Sequence, residues 1–259
     1  MTPSERRALV TGAGAGLGRV IAVELANRGY SVALVDIDGK GLKATSDLLL
    51  EVGATSLSIV IDLTADSAAK DSIEQVVGAW GGLDVLINNA AYGGIQPFFE
   101  MTAKFWHKTL SINVIALAML TAAAGEVMKR QGSGRIVNIT SPASRMAIPN
   151  YAAYSASKAA VDSITRASAI ALAPFGVTVN SVAPGMMDTE MQRKTEAELA
   201  RIEGRNDIDA FLAERTRRVP LGRRAEIGEV AATVLWLAVD APSYVTAERL
   251  NASGGLDRD

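Results

Sequence analysis

An α/β fold is predicted: a single domain spanning 1–259, doubly wound, with a mainly parallel sheet of seven strands and helices on both faces. Three observations carry it. Short apolar runs of strand type alternate with stretches of helical periodicity. A glycine-rich turn separates the first strand from the first helix, and polar residues stand where the strands end.

Composition narrows the function. The 259 residues, 49% of them hydrophobic, sit at the upper end of what one such domain holds. Twenty-six basic against 28 acidic residues give a net charge of -2, so no basic excess exists to neutralise a phosphate backbone and nucleic acid is not an expected partner. The absence of cysteine removes disulfides and thiolate chemistry, and the lone His107 cannot supply a metal cluster, so no metal is expected and His107 receives no role. The apolar run Ala8 to Val10 is far too short for a leader or a membrane span, and the cytoplasm is the expected compartment.

Ala8 to Thr11 reads as the first strand, and Val20, Ile21 and Leu25 set the rhythm of the following helix. Between them lies Thr11-Gly12-Ala13-Gly14-Ala15-Gly16-Leu17-Gly18. Glycines let the backbone approach a pyrophosphate, and amides at the start of a helix point their dipole at its charge. Ser31 to Asp36 is the second strand, ending in an acid 18 residues beyond Gly18. That is close to the ~20-residue interval at which a carboxylate meets the adenosine ribose of a dinucleotide. Asp36 favours NAD, since a carboxylate repels the 2′-phosphate of NADP, and neither Ile37 nor Ala15 offers a guanidinium to it. Capping of the next helix is an alternative role for Asp36, one that Asp38 fills equally well. A helix over Lys40 to Leu50 leads to a third strand, Ser56 to Ile61, which closes on Asp62-Leu63 beside the expected adenine.

Helix is predicted again over Ser67 to Ala79 and strand over Val85 to Ile87, followed by Asn88-Asn89-Ala90-Ala91, residues suited either to a turn or to tying strand ends together. Thr102 to Met128 is long enough for one continuous or slightly broken helix containing Asn113. Arg135 to Ile139 is the fifth strand. Thr140-Ser141 follows, and Pro142 disfavours helix at Ser141, which places that hydroxyl on the rim of the sheet. The next helix carries Tyr154 and Lys158, one turn apart and therefore on one face. A phenol titrates near pH 10, and a cation within a few ångströms draws that value down, so Tyr154 becomes a usable base. Thr178 to Val182 is the sixth strand, ending at Pro184-Gly185.

Taken together and in this order, Thr11 to Gly18, Asp62-Leu63, Asn88 to Ala91, Asn113, Ser141, Tyr154-Ser-Ala-Ser-Lys158, Pro184-Gly185 and Thr189 resemble the short-chain dehydrogenase/reductase family, a Rossmann-fold family. The thirteen-residue step from Ser141 to Tyr154 also matches. The resemblance implies that Tyr154 exchanges a proton with a secondary alcohol or its ketone while hydride passes to or from the nicotinamide. It implies that Lys158 depresses the Tyr154 pKa and holds the nicotinamide ribose, that Ser141 bonds the reacting oxygen, and that Asn113 bends its helix and holds a water. The cofactor contacts expected are Gly12, Ala15, Gly16, Leu17, Gly18, Asp36, Ile37, Asp62, Leu63, Asn89, Tyr154, Lys158, Pro184, Met187 and Thr189. Ser141, Tyr154, Tyr92, Gly185 and Met191 are expected to meet substrate. Three departures stand out: Ala91 and Ala247 where glycine is usual, and Ser253 in place of the acid commonly found before Gly254-Gly255.

The segment at about 186–218 is the expected lid, its charges read as a solvated face and its methionines 186, 187 and 191 as either an adaptable wall or core filling. The stretches Val219 to Arg223, Glu226 to Leu237 and Tyr244 to Gly255 are similar to those through which family members form tetramers, so a homotetramer with Trp236 buried at an interface is expected, a dimer being the alternative. The lid and C-terminal strand resemble those of family members that oxidise sugar alcohols and other polyols. Alternatives are reduction of a 3-oxoacyl thioester, which suits NADP and conflicts with Asp36, and a non-catalytic NAD-binding sensor. Enoyl reduction is disfavoured, because those relatives separate Tyr and Lys by a longer interval.

Overall fold

The computed structural model describes residues 6–256; both ends of the expected domain, with the start of the N-terminal segment, lie outside them. Seven strands form one sheet: β1 (Arg7–Thr11), β2 (Ser31–Asp36), β3 (Ser56–Val60), β4 (Val85–Asn88), β5 (Gly134–Ile139), β6 (Val177–Pro184) and β7 (Arg249–Ala252). Their order is β3-β2-β1-β4-β5-β6-β7, with every pairing parallel. The winding reverses between β1 and β4, so connections from the two halves diverge and leave a crevice beyond the carboxyl ends of these strands.

Alternation along each strand builds two cores. Ala8 and Val10 face one side with Val32 and Leu34, while Leu9 faces the other with Ala33 and Val35. Helices α1 (Gly16–Asn27), α2 (Gly39–Glu51) and α9 (Ile227–Leu235) cover the first side. The second is covered by α3 (Ala68–Trp80), α5 (Leu117–Gln131) and α6 (Ala152–Leu172). Both faces of the central strands are therefore dry, which is why β6 is buried along its whole length. At the free edge β3 keeps its alternation, with Ile59 buried and Val60 exposed.

The helix expected over Thr102 to Met128 is broken. Thr102 caps α4 (Ala103–Leu110), a π turn occupies Ser111–Ala116, and α5 follows. The run Ala103–Gln131 is long and apolar enough to cross a membrane by length and composition alone, an 18-residue window of it having mean hydropathy 1.7; here 44% of that window is buried in the protein.

Beyond β6 lie α7 (Glu190–Ile202) and α8 (Ile208–Arg217), with a small apolar cluster of Ile95, Leu199, Ala200 and Phe211 beneath them. One expectation needs correction in this region. Glu196 is not part of a solvated charged face: it is 1% exposed and accepts from Arg215 Nε at 3.2 Å and from both terminal nitrogens of Arg224 at 2.9 Å. Leu199 and Ala200, one turn further on, are buried on the same side of α7 and draw that turn inward, and a buried carboxylate is tolerated only with such partners. In the single chain Trp236, which opens a π turn (Trp236–Asp240) after α9, is 40% exposed, which leaves it open to the interface burial expected of it.

Candidate active site

A cavity of about 880 Å³ opens over the carboxyl ends of the strands. At one end lies the glycine turn. Gly12 and Gly16 have φ of +64° and +51°, a left-handed backbone that glycine adopts without strain. Ala15 at the N-cap of α1 is extended and makes no side-chain capping bond, so the first amides of that helix receive no side-chain acceptor. Such a helix start fits a phosphate. Gly12, Ala15, Gly16 and Leu17 line the cavity, but Gly18 does not. A Cβ there would lie 2.1 Å from the Gly12 carbonyl oxygen, so the missing side chain of Gly18 serves the close packing of helix against turn.

Asp36 lines the cavity from the end of β2, with Ile37 beside it. Its carboxylate is aimed by the backbone, Oδ2 accepting from Gly14 N at 2.9 Å and Oδ1 from Asp38 N at 3.0 Å. Capping of α2 falls to Asp38, which accepts from Lys40 N. Among the described residues the guanidinium at this turn is that of Arg19, which donates to Thr45 Oγ1 and the Gly14 carbonyl and does not line the cavity. Asp62 and Leu63 also face it; the amide and hydroxyl of Thr64 hold the Asp62 carboxyl below the usual carboxylate range. The chemistry of this donor set fits a nicotinamide dinucleotide: free amides for the pyrophosphate and an oriented carboxylate for a ribose diol.

Two buried polar ladders hold the floor. Thr11 Oγ1 accepts from the amides of Asn89 and Ala90, and Asn89 Nδ2 donates to the Thr11 and Gly12 carbonyls, locking β1 to β4. Asn88 Nδ2 donates to Asn138 Oδ1 at 2.9 Å, and Asn138 Nδ2 to Thr165 Oγ1 at 2.9 Å, so β4, β5 and α6 share one chain of bonds. Asn88 thus ties strand ends while Asn89 faces the cavity.

Ser141, Tyr154 and Lys158 meet on the cavity wall. Ser141 is extended (φ −164°) and caps a short 3₁₀ turn, which turns its hydroxyl to the rim. Tyr154 and Lys158 project from one face of α6, the Lys158 Nζ lying 5.7 Å from the Tyr154 ring centre. The expected depression of the phenol by the ammonium is absent. Burial pushes Tyr154 up to about 12, opposed by a hydrogen bond with Ser141. Burial also draws Lys158 down to about 8, with Asp162 pulling the other way. Lys158 is 2% exposed and donates to the Ile139 carbonyl at 2.8 Å, a neutral dipole that holds the nitrogen without neutralising a charge.

Asn113, expected at the reaction centre, is 1% exposed, and its side chain does not line the cavity. Its Oδ1 accepts from Tyr92 N at 2.7 Å, and its Nδ2 donates to the Tyr92 carbonyl and to Ser157 Oγ, both at 3.0 Å. Ser157 Oγ in turn donates to the Tyr154 carbonyl at 2.6 Å. Asn113 therefore fixes the Tyr92 loop and the Tyr154 turn of α6 to each other. Ser157 and Asn138 received no role from the sequence, and Thr11 stood there only at the head of the glycine motif; the spacing of Ser157 inside the Tyr154–Lys158 turn was a further signal.

On the far wall Tyr92, Pro184, Gly185, Met187, Thr189 and Met191 all face the cavity. The Thr189 hydroxyl accepts from Gln192 N as the cap of α7, which occupies one of its lone pairs. Met187 and Met191 form wall, and Met186 is buried. Thr195 and Glu198 of α7 face the same space and were not foreseen. Ala91 lies on the floor.

Known proteins are similar to this chain in sequence and fold. A family model described as enoyl-(acyl carrier protein) reductase matches residues 12–257. An L-2,3-butanediol dehydrogenase of Corynebacterium glutamicum is 34% identical over 252 residues, 96% of this chain and 97% of its own. A xylitol dehydrogenase solved with NAD+ superposes with TM-score 0.93 at 31% identity, over 98% of this chain and all of that one. An actinorhodin polyketide ketoreductase solved with NADPH gives 0.94 at 32%, over the whole of both chains.

Proposed function

The chain belongs to the short-chain dehydrogenase/reductase family of oxidoreductases, and from that premise we propose that it interconverts a secondary alcohol and its ketone with NAD, the substrate being a sugar alcohol or other polyol. The observation that carries this reading is one cavity with the phenol, the Ser141 hydroxyl and the Lys158 amine on its wall and the uncapped helix start at its far end.

A bound oxidised nicotinamide supplies the hydride acceptor and a positive charge. Gly12, Ala15, Gly16 and Leu17 would hold its pyrophosphate, Asp36 its adenosine ribose, and Lys158 with Tyr154 the second ribose. Ser141 donates to the substrate oxygen and stabilises the charge that develops on it. Tyr154 moves the proton. With its phenol near 12 in the ligand-free protein, Tyr154 is set up as the acid that protonates a ketone; oxidation requires its pKa to fall, which positive charge brought close to it achieves. The NAD preference rests on Asp36, aimed into the cavity, with Arg19 occupied elsewhere. The polyol reading is supported by the xylitol and butanediol dehydrogenases among its relatives and by Thr195 and Glu198 on the substrate wall, polar partners for extra hydroxyls. A homotetramer is supported by the exposed Leu221, Trp236 and Tyr244 of the C-terminal third.

The deciding experiment is a panel of secondary alcohols and polyols assayed with NAD and NADP, following reduced-nicotinamide absorbance. Turnover with NAD is expected to exceed that with NADP, and Tyr154→Phe to abolish turnover with NAD affinity nearly unchanged. NAD binding without turnover across the panel would support the sensor, and an NADP preference would remove the role given to Asp36.

A further inference from the structure

The face of α6 that carries Tyr154 and Lys158 continues for another turn to Asp162, which is buried at 7% exposure. Asp162 Oδ2 accepts from Ser144 Oγ at 2.7 Å and lies 3.4 Å from Arg249 Nε of β7. Its other oxygen is buried and accepts no hydrogen bond. Arg249 reaches past the carboxylate: one terminal nitrogen donates to the Ser141 carbonyl at 3.1 Å and approaches Ser144 Oγ at 3.4 Å. Both side chains of this ion pair are less than a tenth exposed. Removing a carboxylate and a guanidinium from water is costly and rarely benefits stability alone. What this pair touches is the rim that carries Ser141 and the helix that carries Lys158.

We propose that Asp162 and Arg249 are positioning residues for the reaction proposed above, Arg249 tethering Ser141 through its main chain and Asp162 acting as the counter-ion that keeps Lys158 charged. Among the described residues, the titratable and charged groups around Lys158 are few. Tyr154 and Asp162 lie on its own helix and Arg249 stands behind Asp162; β5 beneath offers the Ile139 carbonyl, and the Ser141 turn offers hydroxyls. The attraction of Asp162 opposes the loss of charge that burial imposes on Lys158.

The inference rests on the reading of Lys158 and Ser141 as reaction groups, so it is tested on two observables. In the ligand-free protein, a buried lysine that deprotonates below its unfolded value makes stability rise with pH, and the start of that rise marks its titration. Asp162→Asn is expected to move the start of the rise to lower pH by about half a unit or more, and Asp162→Glu to leave it in place, both read from urea midpoints against pH. Superimposable profiles for wild type and Asp162→Asn would eliminate the counter-ion. Arg249→Lys keeps the charge but loses the fork, and is expected to lower kcat about tenfold with KM and NAD affinity little changed, as a misplaced Ser141 would. Full kcat in Arg249→Lys would eliminate the tether. If either single variant unfolds, the double variant Asp162→Asn, Arg249→Met strands no buried charge and is expected to show both effects; showing neither overturns the proposal. Should the wild type turn over no alcohol at all, the proposed function falls, while the urea profiles still decide the role of Asp162.

Discussion

Lys158 shows how far a tertiary environment can move a group that the sequence presents correctly. Its one-turn spacing from Tyr154 was legible because helical geometry alone dictates it, and the structure keeps that spacing. The direction of both pKa shifts was not, because burial depends on β5, α6 and the Ser141 turn closing around the pair, which no local pattern contains. The consequence is measurable. Between about pH 8 and the ordinary lysine range the unfolded chain holds a proton that folded Lys158 has released, so stability of the ligand-free protein rises with pH across that window. Tyr154 acts oppositely: from the ordinary phenol value up to about 12 the unfolded chain loses a proton that the folded one keeps, and stability falls. Lys158→Met is expected to remove the rise and leave the fall, as followed by urea unfolding at fixed pH values. A rise that persists in this variant would assign it to another group.

At the level of elements, strands and helix starts were read closely because apolar runs, glycine turns and caps are local signals; β2 runs from Ser31 to Asp36 as expected. The lid was harder. Its charge pattern matches a solvated helix, and only the docking of α7 on α8 and on the segment holding Arg224 turns Glu196 inward. Glu196→Ala would leave Arg215 and Arg224 facing each other across a cavity, at an expected cost of about 3 kcal/mol in chemical unfolding. Glu190→Ala on the exposed face is expected to leave the midpoint unchanged. The turn into β7 holds a second local conflict. Ala247, read as a departure from glycine, has φ +64°, where a side chain is strained, while its amide donates to the Val179 carbonyl at 2.9 Å. Ala247→Gly is therefore expected to stabilise the protein by about 1 kcal/mol, a rise of about 3 °C in Tm by calorimetry. A lower Tm would show that the alanine methyl packs more favourably than its backbone is strained.

For the whole molecule, the doubly wound, mainly parallel sheet followed from alternation of strand with helix, since right-handed crossovers leave few other arrangements, and the structure adds the reversal between β1 and β4. What the chain alone did not reveal was which buried polar residues brace the crevice. Asn138, Thr165 and Ser157 have side chains common in any helix or strand, and acquire meaning only when distant segments meet. Assembly belongs to the same scale. Trp236 is 40% exposed and Tyr244 98% exposed in the single chain. The tetramer proposed above is expected to sediment at four times the chain mass of 27.1 kDa, and a monomer at micromolar concentration would reject it.

Arg249 sits on β7, after every other strand in the chain, yet its guanidinium grips the carbonyl of Ser141. On the ribosome, the rim of the crevice is therefore finished only after Arg249 has emerged, long after Ser141, Tyr154 and Lys158. A nascent chain that stops short of Arg249 carries phenol, amine and glycine turn but lacks the brace that sets the serine, so synthesis itself delays competence until β7 is made.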